Sequence, residues 1–115
     1  MLYEVREYVA VPGRLPAIID LFNQHTIRLF AKHDMDLIQV GRTWIGENSY
    51  NELVYTLRFS DVAELEKKWE MFLQDPEWVA ELTAREAEGP MVASMRRRLV
   101  DPGPFADAEG LPAGK

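Results

Sequence analysis

Residues 52–78 read ELVYTLRFSDVAELEKKWEMFLQDPEW, and they contain the clearest signals of fold in the chain. The segment 52–59 alternates strictly, which is typical of a strand with one buried face. One set of side chains is apolar and predicts the inward face: Leu53, Tyr55, Leu57 and Phe59. The other set is mixed and predicts an outward face: Val54, Thr56 and Arg58.

Two helices are predicted to follow this strand. Asp61 precedes Glu64 by three residues, as in a capping box, and thus predicts a helix start. Asp75 and Pro76 predict a break and a restart, because Asp is a good N-cap and Pro is tolerated in the first helical turn. The apolar face predicted for the two helices consists of Val62, Leu65, Trp69, Phe72, Leu73, Trp78 and Leu82.

The flanking sequence supplies the remaining elements. Pro12-Gly13 and Gly89-Pro90 mark a turn and a helix stop, and Gly41 is the candidate bulge in a strand. The predicted segments are a strand at 2–11, an amphipathic helix at 14–33, a strand at 36–46 and a strand at 91–99. The composition predicts an irregular tail at 101–115, because this segment is rich in Pro, Gly and Ala.

The predicted order of elements is βαββαβ, which is typical of a ferredoxin-like α+β domain over residues 1–100. In such a domain an antiparallel sheet carries its helices on one face only. The bare face would include Val54, Thr56 and Arg58 together with one of the two alternating sets of the first strand, and the sequence leaves open which set. A face this mixed is too apolar to be left in water and too polar for a dry core. We therefore expect two copies to pair through their sheets as a homodimer.

The composition excludes several kinds of site. The 115 residues include no cysteine, which rules out disulfides, thiolate nucleophiles and zinc–thiolate centres. With only two histidines, a metal site would have to rely on carboxylates. A net charge of −6 disfavours nucleic-acid binding. The basic run Arg96-Arg97-Arg98 would alternate between the two faces of a strand. We expect no metal, no cofactor and no nucleic-acid partner.

The sequence also predicts no membrane partner. No apolar run approaches the roughly 20 residues that span a bilayer. Glu4, Arg6 and Glu7 lie where the apolar core of a signal peptide would have to be. We therefore expect a cytoplasmic protein.

Several short motifs, in their order and spacing, resemble the NIPSNAP family of the dimeric α+β barrel superfamily. They are YEVREYVAVPGRL at 3–15, WIGE at 44–47, NELVY at 51–55 and DPEW at 75–78. The resemblance implies a ferredoxin-like protomer, a dimeric barrel and a small-molecule cleft between helices and sheet. It implies no particular reaction, since bacterial members mostly lack one and relatives in the wider superfamily include cofactor-independent monooxygenases, isomerases and haem-degrading enzymes. Residues 61–89 lack the histidine that haem-degrading relatives place there.

Polar candidates for a ligand pocket come from three elements. His25 flanks the apolar stripe of the first helix and is either a general acid or base or a half-exposed surface histidine. Tyr55 is either a hydrogen-bonded core phenol or a donor to a substrate oxygen. Arg42 and Arg58 are expected to share a sheet face, where they either hold an oxyanion or form interface ion pairs with Glu4 and Glu52.

The three tryptophans are the aromatic candidates. Trp69 and Trp78 are predicted to be core residues, and the alternative is that one indole lines a pocket for a flat ligand. Trp44 is predicted to lie late in the second strand, just before the turn, where the mouth of a barrel would be, and it is a candidate for ligand contact there.

These observations leave two hypotheses for function. The first is a homodimeric small-molecule binding protein or cofactor-independent enzyme, acting on a hydrophobic carbonyl or phenolic compound in a cleft lined by His25, Trp44, Tyr55 and Trp69. Oxygenation or isomerisation then fits better than hydrolysis. The second is a non-catalytic interaction module whose protomer core is filled. A cavity of about 300 Å³ or more with convergent polar groups favours the first.

Overall fold

The computed structural model describes residues 1–105. Four antiparallel strands form one sheet in the order β2-β3-β1-β4. They are β1 (Leu2–Ala10), β2 (Asp36–Arg42), β3 (Glu52–Phe59) and β4 (Val92–Val100). Helices follow β1 and β3, so the predicted ferredoxin-like α+β fold is confirmed. The predicted tail begins after β4, and its residues 106–115 lie outside the described part of the chain.

The first helical region is continuous, but its middle is π-helical. It consists of α1 (Leu15–Leu21), a π-helical segment (Phe22–Thr26) and α2 (Ile27–Lys32). The residues at both junctions keep right-handed helical φ and ψ angles, so the three pieces form one helix. The prediction of a helix over 14–33 is confirmed, whereas the sequence did not indicate the π-helical segment.

The two helices after β3 begin at the predicted caps. They are α3 (Val62–Leu73) and α4 (Pro76–Arg85). The Asp61 carboxylate accepts a hydrogen bond from the Glu64 backbone N–H at 2.8 Å. The Asp75 carboxylate accepts one from the Glu77 backbone N–H at 2.9 Å, and Pro76 occupies the first turn. These bonds satisfy backbone donors that have no partner within the helices.

The helices cover one face of the sheet and enclose an aromatic core. The inward set predicted for β3 is buried, with exposures of 0 to 2%. Phe72 of α3 lies at the centre of the aromatic packing, with its ring centroid 5.1 Å from Phe30, 5.4 Å from Trp69 and 4.9 Å from Trp78. The two tryptophans on either side of the α3–α4 break therefore pack on the same phenylalanine.

Strand β2 and helix α3 differ from the predictions in three details. β2 ends at Arg42, because the Tyr50 N–H bonds to the Thr43 carbonyl and closes a loop, so Trp44 lies outside the strand. The bulge is not at Gly41, since the register shifts between Leu37 and Gln39 and makes Ile38 the extra residue. Val62 and Leu73 were predicted to face inward, but they are 46% and 54% exposed.

The reverse face of the sheet, which we call the open face, is a mixture of apolar and charged side chains. Strand register assigns to it Tyr3, Val5, Glu7, Val9, Val54, Thr56, Arg58, Arg96 and Arg98. Most of its charges are paired within the protomer, Glu7 with Arg96 at 3.1 Å and Asp36 with Arg58 at 2.6 Å. The predicted outward set of β3 is confirmed, and Arg97 points to the face opposite its two neighbours, as expected.

Candidate functional site

A polar cluster lies under the helices because of the register of β1. Leu2, Glu4, Arg6 and Tyr8 are paired with Phe59, Leu57, Tyr55 and Leu53, whose side chains are buried. Side chains directly opposite each other in a sheet share a face. Two charged residues of β1, Glu4 and Arg6, are therefore directed into the region that the helices cover.

Glu4 is the centre of this cluster, and its side chain is completely buried. One carboxylate oxygen accepts a hydrogen bond from the Trp69 indole N–H at 2.6 Å. The other accepts one from Arg6 Nη1 at 3.1 Å and one from Arg97 Nε. A buried carboxylate is tolerated only when it is paired and hydrogen-bonded, and here α3, β1 and β4 each supply a donor.

Arg6 extends the cluster toward two tyrosines. Its Nε donates to the Tyr8 hydroxyl at 3.1 Å, and the Tyr8 and Tyr55 hydroxyls are 2.6 Å apart. The guanidinium carbon lies 4.4 Å from the centre of the Trp69 ring, as in a cation–π contact. We call this group the polar cluster; it comprises Glu4, Arg6, Tyr8, Tyr55, Trp69 and Arg97.

The environment fixes the protonation states of two of these groups. Burial raises the pKa of Tyr55 above its ordinary value, and the neighbouring Tyr8 raises it further. Burial alone would lower the pKa of Arg6, but the electrostatic effect of Tyr55, Tyr8 and Glu4 outweighs it and the pKa is raised. At neutral pH the Tyr55 phenol is therefore neutral and the Arg6 guanidinium is charged.

A groove of about 450 Å³ runs between α3 and β4 and reaches the polar cluster. We call it the α3–β4 groove, and it is lined by Arg6, Leu65, Glu66, Trp69, Glu70, Leu73 and Arg97. The Arg6 side chain is 14% exposed and that of Arg97 is 42% exposed. Both guanidinium groups are therefore accessible from the groove, while the Glu4 carboxylate behind them is not.

The two arginines have more hydrogen-bond donors than the cluster uses. A guanidinium carries five N–H donors. The contacts of the cluster engage two donors of Arg6 and one of Arg97. With one carboxylate between two guanidinium groups, the formal charge of the trio is positive. The arrangement therefore suits an oxygen atom that carries or develops negative charge.

Two of the predicted pocket residues, Tyr55 and Trp69, are members of the polar cluster. Tyr55 is 1% exposed and uses its hydroxyl on Tyr8, so it contributes to the groove only indirectly. The Trp69 N–H is engaged by Glu4. Trp78 packs on Phe72 and does not line the groove.

The other predicted residues lie elsewhere. His25 contacts α4, with ring nitrogens 2.7 Å from Glu77 and 3.1 Å from Glu81. Trp44 is 65% exposed and packs on Tyr50. The expectation that Arg42 and Arg58 share a face is wrong, because Arg42 is paired with Leu53 on the helix-covered face. Arg58 lies on the open face with Asp36.

Sequence reasoning missed Glu4, Arg6, Tyr8 and Arg97. Both alternating sets of β1 mix apolar and charged residues, so the pattern alone did not choose which set faces the helices. One signal was present. Glu4 and Arg6 share one alternating set with Tyr8, and a charged pair next to a tyrosine on one face of a central strand indicates a buried polar network.

Residues 1–105 show neither a metal centre nor a membrane-spanning helix. Within this part of the chain no group of three or more His, Cys, Asp or Glu side chains is arranged to hold a metal ion. Over the same residues, none of the helices has the length and apolar character needed to cross a bilayer.

The sheet order and the one-sided helices define a ferredoxin-like α+β protein. The chain belongs to the NIPSNAP family, because the NIPSNAP family model matches residues 3–107. No curated protein matches the chain significantly.

Solved structures similar to this chain include two bacterial proteins. Protein Atu4242 from Agrobacterium tumefaciens is 22% identical with a TM-score of 0.77, over 91% of this chain and 96% of that one. An uncharacterized NIPSNAP domain protein from Burkholderia xenovorans is 21% identical with a TM-score of 0.76, over 91% and 97%. An antibiotic biosynthesis monooxygenase is 12% identical with a TM-score of 0.54, over 88% and 97%. Similarity at these identities shows the fold alone.

Proposed function

We propose that this NIPSNAP protein is a homodimer that binds a hydrophobic carbonyl or phenolic compound in the α3–β4 groove. The observation that carries the proposal is the meeting of Arg6 and Arg97 at the buried Glu4 carboxylate. Glu4 holds both guanidinium groups in place, and their unused donors remain accessible from the groove. Donors fixed in advance bind an oxygen without the cost of being ordered by the ligand.

The lining of the groove restricts the chemical class of the ligand. Leu65, Leu73 and the Trp69 ring supply apolar contact area beside the two arginines. Glu66 and Glu70 line the same groove on α3 and would repel a polyanion. The groove therefore suits a largely apolar molecule with a single polarised or anionic oxygen, such as a ketone, an enolate or a phenolate.

If the protein is an enzyme, oxygenation or isomerisation without a cofactor fits better than hydrolysis. Two cationic donors would stabilise an enolate oxygen as charge develops on it. Within the described part of the chain, the residues that line the groove include no serine, histidine or cysteine, so they offer no activated nucleophile of the hydrolase kind.

The homodimer is supported by the composition of the open face. Val5, Val9 and Val54 give this face apolar area, and the Glu7 carboxylate that lies among them is already paired with Arg96. A second copy related by a two-fold axis would cover these valines with the same apolar side chains and would bring no unpaired Glu7 charge to the contact. We further propose a cytoplasmic location and no membrane partner. We propose no nucleic-acid partner either, because the arginines of the 96–98 run point to opposite faces of β4 and form no single basic patch.

The alternative is a non-catalytic interaction module, and it is favoured by the filled aromatic core. Phe30, Tyr55 and Phe72 are each 1% exposed, and the rings of Tyr55 and Phe72 both pack on Phe30. A ligand would therefore lie in the groove at the edge of the core and not at its centre.

Arg97→Gln and Arg98→Gln form a matched pair for the test, because the two residues are adjacent in β4 but lie on opposite faces. The wild-type protein is screened against a metabolite library by native mass spectrometry and thermal shift, with 4-hydroxyacetophenone as a defined phenolic carbonyl probe. Binding is expected to weaken about tenfold in Arg97→Gln and to be unchanged in Arg98→Gln. The absence of any bound compound, or an equal loss in both variants, would support the interaction module instead.

A further inference from the structure

A second groove lies at the β2 edge of the sheet, opposite the β4 edge, where the first helical region crosses β2. It has a volume of about 310 Å³, and we call it the β2 groove. It is lined by Ile19, Phe22, Asn23, Ile27, Val40, Gly41, Arg42 and Leu53. Most of these side chains are apolar and none is acidic. The groove shares no lining residue with the α3–β4 groove.

Among residues 1–105, Arg42 is the only charged residue that lines the β2 groove. Within residues 1–105 its guanidinium makes no ion pair and no side-chain hydrogen bond. It packs on the Tyr50 ring, whose centre lies 4.8 Å from the guanidinium carbon. A cation–π contact engages the flat face of the guanidinium and leaves its N–H donors free. Arg42 is thus oriented without being neutralised.

The loop that carries Tyr50 is held in an uncommon conformation. Tyr50 has a φ of 58°, in the left-handed region that bulky residues rarely adopt. Trp44 packs on the same tyrosine ring, with centroids 5.4 Å apart. Backbone strain of this kind costs about 1 kcal/mol or more and often accompanies binding sites. Here it positions the aromatic ring on which Arg42 rests.

Asn23 provides a second polar group at this groove. It belongs to the π-helical segment, a feature that frequently occurs at functional sites. In the described part of the chain its exposed side-chain amide has no hydrogen-bond partner. As far as residues 1–105 line it, the groove therefore combines apolar side chains with one free cation and one free amide.

We propose that the β2 groove is a second binding site, which takes a compact monocarboxylate with an apolar body. The carboxylate is bound by Arg42, with Asn23 as an additional donor, and the apolar body lies along Ile19, Ile27 and Val40. A guanidinium binds a carboxylate through two parallel hydrogen bonds. The volume is at the lower end of the range for small-molecule pockets, so the ligand is small.

The test compares hexanoate with hexanamide, a neutral molecule of nearly the same shape, by amide NMR titration of the wild-type protein. Hexanoate is expected to cause saturable shifts at the residues of the β2 groove at millimolar concentration and to bind at least about tenfold more tightly than hexanamide. Equal affinity for the two compounds, or no saturable shift with hexanoate, would overturn the proposal.

Three variants identify the site. Arg42→Gln is expected to weaken hexanoate binding about tenfold, because it removes the charge from an exposed residue without disturbing the core. Arg58→Gln, on the opposite face of the sheet, and Arg97→Gln, in the α3–β4 groove, are expected to bind hexanoate as the wild type does. Loss of binding in Arg97→Gln with none in Arg42→Gln would mean that hexanoate occupies the other groove, and the proposal would then be wrong.

Discussion

Trp69 donates its indole N–H to the Glu4 carboxylate over 2.6 Å, and this bond joins α3 to β1 across 65 residues of sequence. The same carboxylate binds Arg97 of β4, 93 residues away. One buried acid therefore connects a helix, a central strand and an edge strand. Its removal should affect both the stability of the fold and the position of the arginines in the α3–β4 groove.

Glu4→Gln is predicted to lower the free energy of unfolding by about 3 kcal/mol. The amide can still accept the Trp69 hydrogen bond, but Arg6 would remain largely buried without its anion. The change is measured by urea unfolding, followed by tryptophan fluorescence. Glu66→Gln is the control, since this exposed glutamate of α3 should change stability by less than about 0.5 kcal/mol. A Glu4→Gln protein as stable as the wild type would show that the cluster contributes nothing to folding.

Elements whose buried face is marked by a regular alternation of apolar residues could be predicted from the sequence, while the polar cluster could not. Strand β3 was correctly predicted, with its faces, because every inward residue from Leu53 to Phe59 is apolar. In β1 both sets are mixed, and the set that faces the helices is the one with Glu4 and Arg6. Its burial depends on Trp69 and Arg97, which are distant in sequence. Likewise, β2 ends early because of a loop hydrogen bond between Thr43 and Tyr50, a contact that periodicity does not report.

Asp75 is predicted to make the protein less stable in acid. Hydrogen bonds from Lys32 and His33, and from the Glu77 backbone, hold the pKa of Asp75 well below its ordinary value. The folded state therefore binds a proton at Asp75 less readily than the unfolded state does. The ionised Asp75 contributes its full stabilisation above about pH 4. This stabilisation is lost as the pH falls from there through the lower folded-state pKa. Urea unfolding at a series of acidic pH values measures this loss.

Two substitutions separate the charge of Asp75 from its role as an N-cap. Asp75→Asn keeps a good cap but removes the charge, so its stability should depend less on pH in the acidic range. Asp75→Ala removes both and is expected to cost about 2 kcal/mol at neutral pH. If Asp75→Asn shows the same acid dependence as the wild type, another carboxylate is responsible.

Val54→Asp is predicted to convert the proposed dimer into a monomer. Val54 lies on the open face of the central strand β3, where a second copy would bury the new charge without a partner. Sedimentation equilibrium of the wild type is expected to give about twice the chain mass of 13.2 kDa. Val79→Asp is the control, because Val79 is 49% exposed on α4, away from the open face. A wild-type monomer at micromolar concentration would contradict the dimer.

Asp34→Gly is predicted to stabilise the protein by about 0.5 to 1 kcal/mol. Asp34 follows the C-cap of α2 with a φ of 55°, and its N–H donates to Ala31 while the Met35 N–H donates to Phe30. These two bonds form a Schellman motif, in which glycine is preferred. The substitution relieves the left-handed conformation and also removes a carboxylate from the negative end of the helix dipole.

Asp34→Ala separates these two effects, because it removes the carboxylate but retains a side chain at positive φ. It is expected to be about 1 kcal/mol less stable than Asp34→Gly, since the left-handed conformation costs alanine roughly that amount. Thermal and urea unfolding of the three proteins at neutral pH measure the differences. Equal stability of the two variants would assign the whole gain to the lost charge. An Asp34→Gly protein that is less stable than the wild type would mean that the aspartate side chain itself supports the end of the helix.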